Sequence, residues 1–196
     1  MMRKAVKNNN RGFTLIEIMV SVSIFSIIIF IVIGSIMTVF NESRKSQAMQ
    51  TVMDNLNSTV ESMTRTIRFG STYHCDINSG DINTTQDCGT SGAPVAAANS
   101  FAVKFNNVVN IFKLDPGTGR IQQSRNGGAS YYYITGSDLV IDKLMFYVSG
   151  TTNYSGGDTR QPLVTIVIEG HSGSKVESQY SFSMQTSVSQ RVFDSQ

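Results

Sequence analysis

Residues 11–20 read RGFTLIEIMV and open an apolar run that continues to Phe40. Between Phe13 and Phe40 the only charged side chain is that of Glu17. A run of this length exceeds the ~20 residues with which a helix crosses a bilayer. A single carboxylate near the start of such a helix is costly unless another group pairs with it. The pattern therefore predicts a membrane-spanning helix that brings Glu17 to a partner.

The residues before this helix form a basic leader with no acidic side chain. Its positive charges are Arg3, Lys4, Lys7 and Arg11. Because positively charged residues stay on the cytoplasmic side, the chain is expected to insert with its amino terminus inside and its bulk outside. An ordinary signal peptide is cut after its apolar segment and loses it. A plain signal anchor, with Glu17 at the membrane interface, is the alternative to a helix that is kept for assembly.

The stretch Gly12-Phe13-Thr14-Leu15-Ile16-Glu17 resembles the cleavage and methylation motif of type IV prepilins and of the pseudopilins of type II secretion. The resemblance implies that a membrane aspartyl peptidase cuts after Gly12 and methylates the new amino terminus at Phe13. It also implies that Glu17 pairs with the terminal amine of a neighbouring subunit, since either charge alone is costly in an apolar setting. The motif covers only the start of the chain, so it indicates a class of protein and not an individual role.

The chain is predicted to contain four segments. Residues 1–12 are a cytoplasmic leader that is removed, 13–40 the transmembrane and assembly helix, 41–69 the amphipathic half of the same helix, and 70–196 an extracytoplasmic β-rich globular domain. The fold class is α+β, with the long amino-terminal α-helix packed on a carboxy-terminal antiparallel β-sheet domain. The formal net charge is only +2, and the leader accounts for the basic balance, so no basic patch argues for nucleic acid.

Apolar residues recur at three- and four-residue steps along the second half of the helix. The helix is expected to end near Arg68, before Gly70, and to pack this stripe on the domain's own sheet. Gly34, in the apolar half, costs about 1 kcal/mol relative to alanine. It is a candidate site for bending or melting on assembly, and close packing between neighbouring helices is the alternative. The stripe consists of Met49, Val52, Met53, Leu56, Val60, Met63 and Ile67.

Residues 70–99 are predicted to form a polar loop that contains both cysteines, Cys75 and Cys88. In an oxidising compartment a disulfide between them is expected, contributing about 3 kcal/mol, and two free thiols are the alternative elsewhere. Zinc is disfavoured because the loop offers too few ligands. An incomplete calcium-loop pattern is present, but its glycine and its last acid depart from the expected order, so a solvated loop is favoured. The calcium candidates are Asp76, Asn78, Asp81 and Asp87.

Alternating apolar residues predict an antiparallel sheet beyond this loop, laid against the helix. Turns are expected at Asp115–Gly119, at Asn126–Gly128 and near His171–Ser174. The predicted strands are 101–105, Val108–Leu114, Arg120–Ser124, Tyr131–Thr135, 144–148, Leu163–Glu169 and Tyr180–Val188.

Two later stretches also resemble members of the same family. Gln185–Arg191 is similar to the closing strand of minor pseudopilins of the J type and of related W-type minor pilins, and Lys143–Val148 resembles the strand before a Gly-rich loop in those proteins. These likenesses are looser than the leader motif. They favour a minor subunit, and the cysteine loop then reads as a lineage-specific decoration.

No catalytic pattern is visible in the chain. His74 and His171 are the only histidines, and neither has a metal-ligand spacing or a nucleophile elbow beside it. Both are expected to be surface residues. Tyr131–Tyr133 could suggest carbohydrate stacking, but successive strand residues point to opposite faces, so sheet packing is favoured. The chain is predicted to be no enzyme and to need no cofactor, although it would be the substrate of a prepilin peptidase.

The function expected from these features is that of a minor pilin or pseudopilin. Its partners would be other pilin subunits, the prepilin peptidase, the inner-membrane assembly platform and the membrane, with no nucleic acid. It would sit in the bacterial inner membrane as a single-pass protein with its carboxy terminus outside, and then in a filament in the periplasm or at the cell surface. A tip adhesin or DNA-uptake pilin is one alternative. A membrane-anchored protein that never polymerises is another, and it predicts that Glu17→Val has no effect.

Overall fold

The computed structural model describes residues 12–90, 92–93, 96–152, 160–172 and 180–191, apart from the side chain at position 48. The chain divides into two compact units, Met1–Gln47 and Ala48–Gln196. One helix, α1, spans Leu15–Arg68 and contributes to both. The α+β class predicted from the sequence is confirmed.

In the first unit, α1 presents apolar side chains to its surroundings along its whole length. It is long and apolar enough to cross a membrane. Its hydroxyl groups bond back to the preceding turn of the helix, as Ser21 Oγ does to the Glu17 carbonyl at 2.7 Å and Ser26 Oγ to the Val22 carbonyl at 2.8 Å. These bonds satisfy polar groups that would otherwise be costly among lipid chains.

In the second unit, the rest of α1 buries one stripe of side chains in the core. Val52, Leu56, Val60, Met63 and Ile67 are buried, as the spacing predicts. The two remaining members of the predicted stripe behave differently, because Met49 is exposed and Met53 is only partly buried. The helix ends where the Gly70 N–H bonds to the Ile67 carbonyl at 3.0 Å.

Within the described residues, eight strands follow the helix. They are β1 Ser71–Cys75, β2 Ser100–Phe105, β3 Val108–Asp115, β4 Arg120–Ser124, β5 Tyr132–Tyr133, β6 Leu139–Ser149, β7 Leu163–Ser172 and β8 Tyr180–Ser189. They form two antiparallel sheets rather than the single sheet expected, the larger with the order β1-β2-β3-β4-β5 and the smaller with the order β6-β7-β8. The predicted hairpin around Asp115–Gly119 joins β3 to β4.

Three local predictions differ from the structure. Strand β1 lies inside the segment predicted as a loop, because Thr72, at a φ of 53°, forms a bulge that interrupts alternation. Strand β5 keeps only two of the residues assigned to it. The turn expected near His171–Ser174 does not begin at His171, which still pairs within β7, and residues 173–179 lie outside the described part of the chain.

The segment after β1 joins the two sheets. The Gln86 N–H donates to the Tyr73 carbonyl in β1 at 2.9 Å. Cys88 then exchanges two backbone hydrogen bonds with Val148, and Ala98 exchanges two with Phe146, along the edge of β6. The segment thus covers one open edge of each sheet, which is how proteins protect exposed strand edges.

A disulfide fixes the segment that connects the two sheets to the core. It links Cys75 in β1 to Cys88 beside β6, and both residues are fully buried. The rings of Phe101 and Phe146, one from each sheet, stack nearby with centroids 5.3 Å apart. The cysteine loop is therefore a structural part of the domain rather than a surface decoration.

Candidate processing and assembly site

Thr14 and Glu17 form a reciprocal cap at the start of α1. The Glu17 N–H donates to Thr14 Oγ1 at 3.4 Å, and the Thr14 N–H donates to Glu17 Oε2 at 3.4 Å. A threonine followed three residues later by a glutamate is the sequence signature of this arrangement. The carboxylate also lies at the positive end of the helix dipole, which favours its charge. Glu17 therefore has an intrachain arrangement available before any partner binds.

The peptide bond between Gly12 and Phe13 lies just outside the helix, which begins at Leu15. Backbone groups before a helix lack helical hydrogen-bond partners and are open to another molecule. Phe13 is 78% exposed. The Gly12–Phe13 peptide bond is therefore not protected by the helix.

Glycine is not required by the chain's own packing at Gly12 or at Gly34. A Cβ atom added at either position would meet nothing within 4 Å, and neither residue has a positive φ. In contrast, a Cβ at Gly170 would collide with the Val140 carbonyl. The packing of the described residues therefore gives no reason for glycine at either position.

The other candidate residues lie in the second unit, away from this site in the chain. The carboxylate of Asp76 accepts from Asn78, and that of Asp81 accepts from Asn83. Asp87 instead accepts from the Gly150 and Thr151 backbone, at 3.2 and 3.1 Å. Within the described residues no group of three or more His, Cys, Asp or Glu side chains could hold a metal ion. The structure gives the calcium pattern no support.

His74 is buried, which contradicts the surface position expected of it. Its ring nitrogens lie 2.8 Å from the Thr84 and Ser79 carbonyl oxygens, so the imidazole ties down the loop after β1. The burial of His74 was not predicted, because β1 has only five residues and a bulge, so its apolar and polar residues do not alternate regularly. His171 is partly exposed, and its Nδ1 lies 2.8 Å from Asp142 Oδ2.

The three consecutive tyrosines each lie beneath a cationic side chain. Lys113 Nζ lies 3.8 Å from the Tyr131 ring centroid, and Arg120 Cζ lies 4.1 Å from that of Tyr133. Arg125 covers the ring of Tyr132 at 5.2 Å. Because one face of each ring is occupied from within the domain, these contacts stabilise the sheet edge.

Comparison with known proteins identifies the start of the chain. Residues 7–39 match the family described as the prokaryotic N-terminal methylation motif. The type IV pilin-like leader predicted from the sequence is thereby confirmed over these residues. No curated protein and no solved structure matches the chain. The motif supports a prepilin-peptidase substrate with a pilin-like leader, and with the apolar helix it is consistent with membrane anchoring.

Proposed function

We propose that this chain is a minor pilin or pseudopilin that is cleaved after Gly12, methylated at Phe13 and assembled into a type IV pilus-like filament. The observation that carries the proposal is the coincidence of the methylation motif with a helix that starts at Leu15. The proposed cut after Gly12 lies before the helix begins at Leu15, and Glu17 lies in the first turn of that helix.

The membrane arrangement follows from the leader and the helix. Residues 1–12 stay in the cytoplasm, 13–40 cross the inner membrane, and the globular unit lies outside, since positive residues remain inside. The disulfide between Cys75 and Cys88 supports this assignment, because such bonds persist in oxidising compartments. Partners at this stage are the prepilin peptidase and the assembly platform of the inner membrane.

Assembly exchanges one partner of Glu17 for another. In the single chain its carboxylate accepts from Thr14. In the filament it pairs with the methylated amine of Phe13 on a neighbouring subunit, which neutralises two charges in an apolar bundle. Lipid contacts of α1 are replaced by contacts with other subunits, so little apolar surface is exposed to water when the helix leaves the membrane.

Mass spectrometry of the mature protein tests processing. The expected amino terminus is an N-methylated Phe13. The Gly12→Glu variant should keep its leader, whereas Gly34→Ala, which changes a glycine outside the motif's cut site, should be processed normally. An intact Met1, or a terminus other than Phe13 in the wild-type protein, would overturn the proposal.

The proposal that the chain is a minor subunit rests on the resemblance of Gln185–Arg191 to the closing strand of minor pseudopilins and minor pilins. Gln185–Arg191 includes the end of β8, an edge strand of the smaller sheet. Quantitative mass spectrometry of purified filaments should find this chain well below the main subunit in copy number. Equal abundance would refute the minor role while leaving processing intact.

A further inference from the structure

The sequence contains Asn-x-Ser/Thr triplets whose middle residue is not proline. Such a triplet is an acceptor for N-linked glycosylation when it lies in a surface loop of an exported protein. Because so short a motif also occurs by chance, the structural setting of each triplet decides whether it can act. The triplets are Asn41-Glu42-Ser43, Asn57-Ser58-Thr59, Asn83-Thr84-Thr85 and Asn153-Tyr154-Ser155, and the last lies outside the described residues.

Two of these triplets lie inside α1, where the motif is unsuitable. Asn41 and Asn57 both belong to this continuous helix. The motif requires the asparagine amide and the hydroxyl two residues on, but residues i and i+2 of a helix do not face each other. Thr59 is also buried, and its hydroxyl donates to the Asn55 carbonyl at 2.8 Å. An enzyme that acts on the folded chain therefore cannot use either triplet.

The triplet at Asn83 lies in an exposed turn instead. Asn83, Thr84 and Thr85 are all exposed, and none of them belongs to a helix or a strand. The Thr84 N–H donates to the Asp81 carbonyl at 2.9 Å, which closes a β-turn with Asn83 as its third residue. Within the described residues no hydrogen bond engages the Thr85 hydroxyl. This hydroxyl is therefore available to an enzyme.

Contacts within the domain anchor this turn and orient the asparagine. A ring nitrogen of the buried His74 lies 2.8 Å from the Thr84 carbonyl oxygen. Asp81 Oδ1 accepts from the Asn83 backbone N–H at 3.0 Å and from Asn83 Nδ2 at 2.9 Å. The amide nitrogen of Asn83 is thus held at the surface of an anchored turn.

We propose that Asn83 is the acceptor for an N-linked glycan, which a membrane oligosaccharyltransferase transfers from a polyprenyl diphosphate. Asn83 Nδ2 attacks the anomeric carbon of the first sugar. The new C–N bond replaces the bond from that carbon to the diphosphate oxygen, the polyprenyl diphosphate leaves, and the amide proton passes to a base of the transferase. The proposal rests on the proposed function, which places the globular unit outside the cytoplasm, where this motif is modified.

Peptide mapping of the protein purified from the organism that encodes it tests the assignment. Trypsin places the described triplets on separate peptides, and the peptide 69–104 contains only the triplet at Asn83. Fragmentation that preserves the sugar should show a glycan on Asn83 and none on Asn41 or Asn57. The same digest reports whether Phe13 is methylated, so failure of this proposal is distinguishable from failure of the proposed function.

Matched variants test whether the motif directs the modification. Asn83→Gln and Thr85→Ala should each lose the glycan, because the first removes the acceptor and the second removes the required hydroxyl, whereas Thr85→Ser should keep it. Asn57→Gln, which changes an exposed asparagine of a helical triplet, should be modified like the wild type. Thermal melts confirm that each variant is folded.

Three results would overturn the proposal. The first is wild-type protein without a glycan on the peptide 69–104. The second is a glycan on that peptide attached to a serine or threonine, or one that persists in Thr85→Ala. The third is a glycan carried on Asn41 or Asn57, because the helical triplets would then be the ones used.

Discussion

Under the proposed function, Glu17 satisfies two requirements in succession. Its carboxylate caps the first turn of α1 together with Thr14, so the isolated chain has a stable helix start. A cap of this kind contributes about 1 kcal/mol. In the apolar core of the proposed filament, a Glu17 carboxylate without a partner would cost about 3–5 kcal/mol. Pairing with a neighbouring amine removes that penalty, which exceeds what the cap contributes.

Glu17→Val is expected to abolish incorporation into filaments while the protein stays stable in the membrane. The variant leaves the amine of a neighbour without its counter-charge. Immunoblots of sheared filaments and of membranes measure the two pools. Glu42→Val is the matched control, since Glu42 is another exposed acid of α1, and it should assemble. Normal incorporation of Glu17→Val would instead favour an anchor that never polymerises.

Tyr73 links the helix to the sheet through a buried hydroxyl. Its O–H donates to the Ile67 carbonyl at 2.7 Å, and burial raises the pKa of the phenol far above its usual value. The folded state therefore holds the neutral phenol, and its contribution is complete below the unfolded pKa of about 10. As the pH rises above about 10, the unfolded chain loses the proton more readily, and stability falls.

Tyr73→Phe should lower the free energy of unfolding by about 1 kcal/mol at neutral pH, since the Ile67 carbonyl loses one of its two donors and keeps only the Gly70 N–H. It should also flatten the decline in stability above about pH 10. Denaturant melts of the full chain in detergent between pH 7 and 11 measure both effects. A decline identical to that of the wild type would show that other groups cause alkaline unfolding.

At the scale of the element, the segment 86–98 is as important as a strand. It pairs with β1 at one end and with β6 at the other, and the disulfide fixes its position in the core. The two sheets share no strand-to-strand pairing, and this segment connects them although its sequence lacks the alternation of a strand. The sequence predicted the pairing of the cysteines but not this role.

Cys75→Ser combined with Cys88→Ser should lower the free energy of unfolding by about 3 kcal/mol, because the closed loop no longer restricts the unfolded chain. Hydrogen exchange should rise at Val148 and Phe146, whose edge partners are released. Reductant should destabilise the wild-type protein under denaturing conditions and leave the double variant unchanged. Equal exchange in both proteins would mean that the segment holds the edge of β6 without the disulfide.

The β3–β4 turn offers a matched pair of glycines. Gly119 has a φ of 62°, and a Cβ there would lie 2.7 Å from Val140 Cγ1. Gly117 has no positive φ, and its Cβ would only approach Asp115 Oδ1 at 3.5 Å. Gly119→Ala should therefore destabilise the protein by about 1–3 kcal/mol, and Gly117→Ala by less than about 0.5 kcal/mol. Thermal melts that show equal shifts for the two variants would contradict this assignment.

At the scale of the whole molecule, the sequence predicted structure correctly where an apolar pattern continues over many residues. Twenty or more apolar residues predict α1, and the three-four spacing predicts the buried Val52, Leu56 and Ile67. It failed where contacts are distant in sequence. Neither the division into two sheets nor the burial of His74 leaves a local pattern, because both depend on segments that meet only after folding. The methylation motif was readable because its residues are consecutive.

The separation of the chain into two compact units has a practical consequence. The residues described at the processing site all lie in the unit Met1–Gln47. The matched motif and the globular unit are thus encoded in different parts of the gene. A chimaera that carries residues 1–47 in front of an unrelated secreted domain should still be trimmed before Phe13 and retained in the membrane, which mass spectrometry of the fusion would reveal. Under the proposed function, the leader and the globular unit could therefore be changed independently of each other.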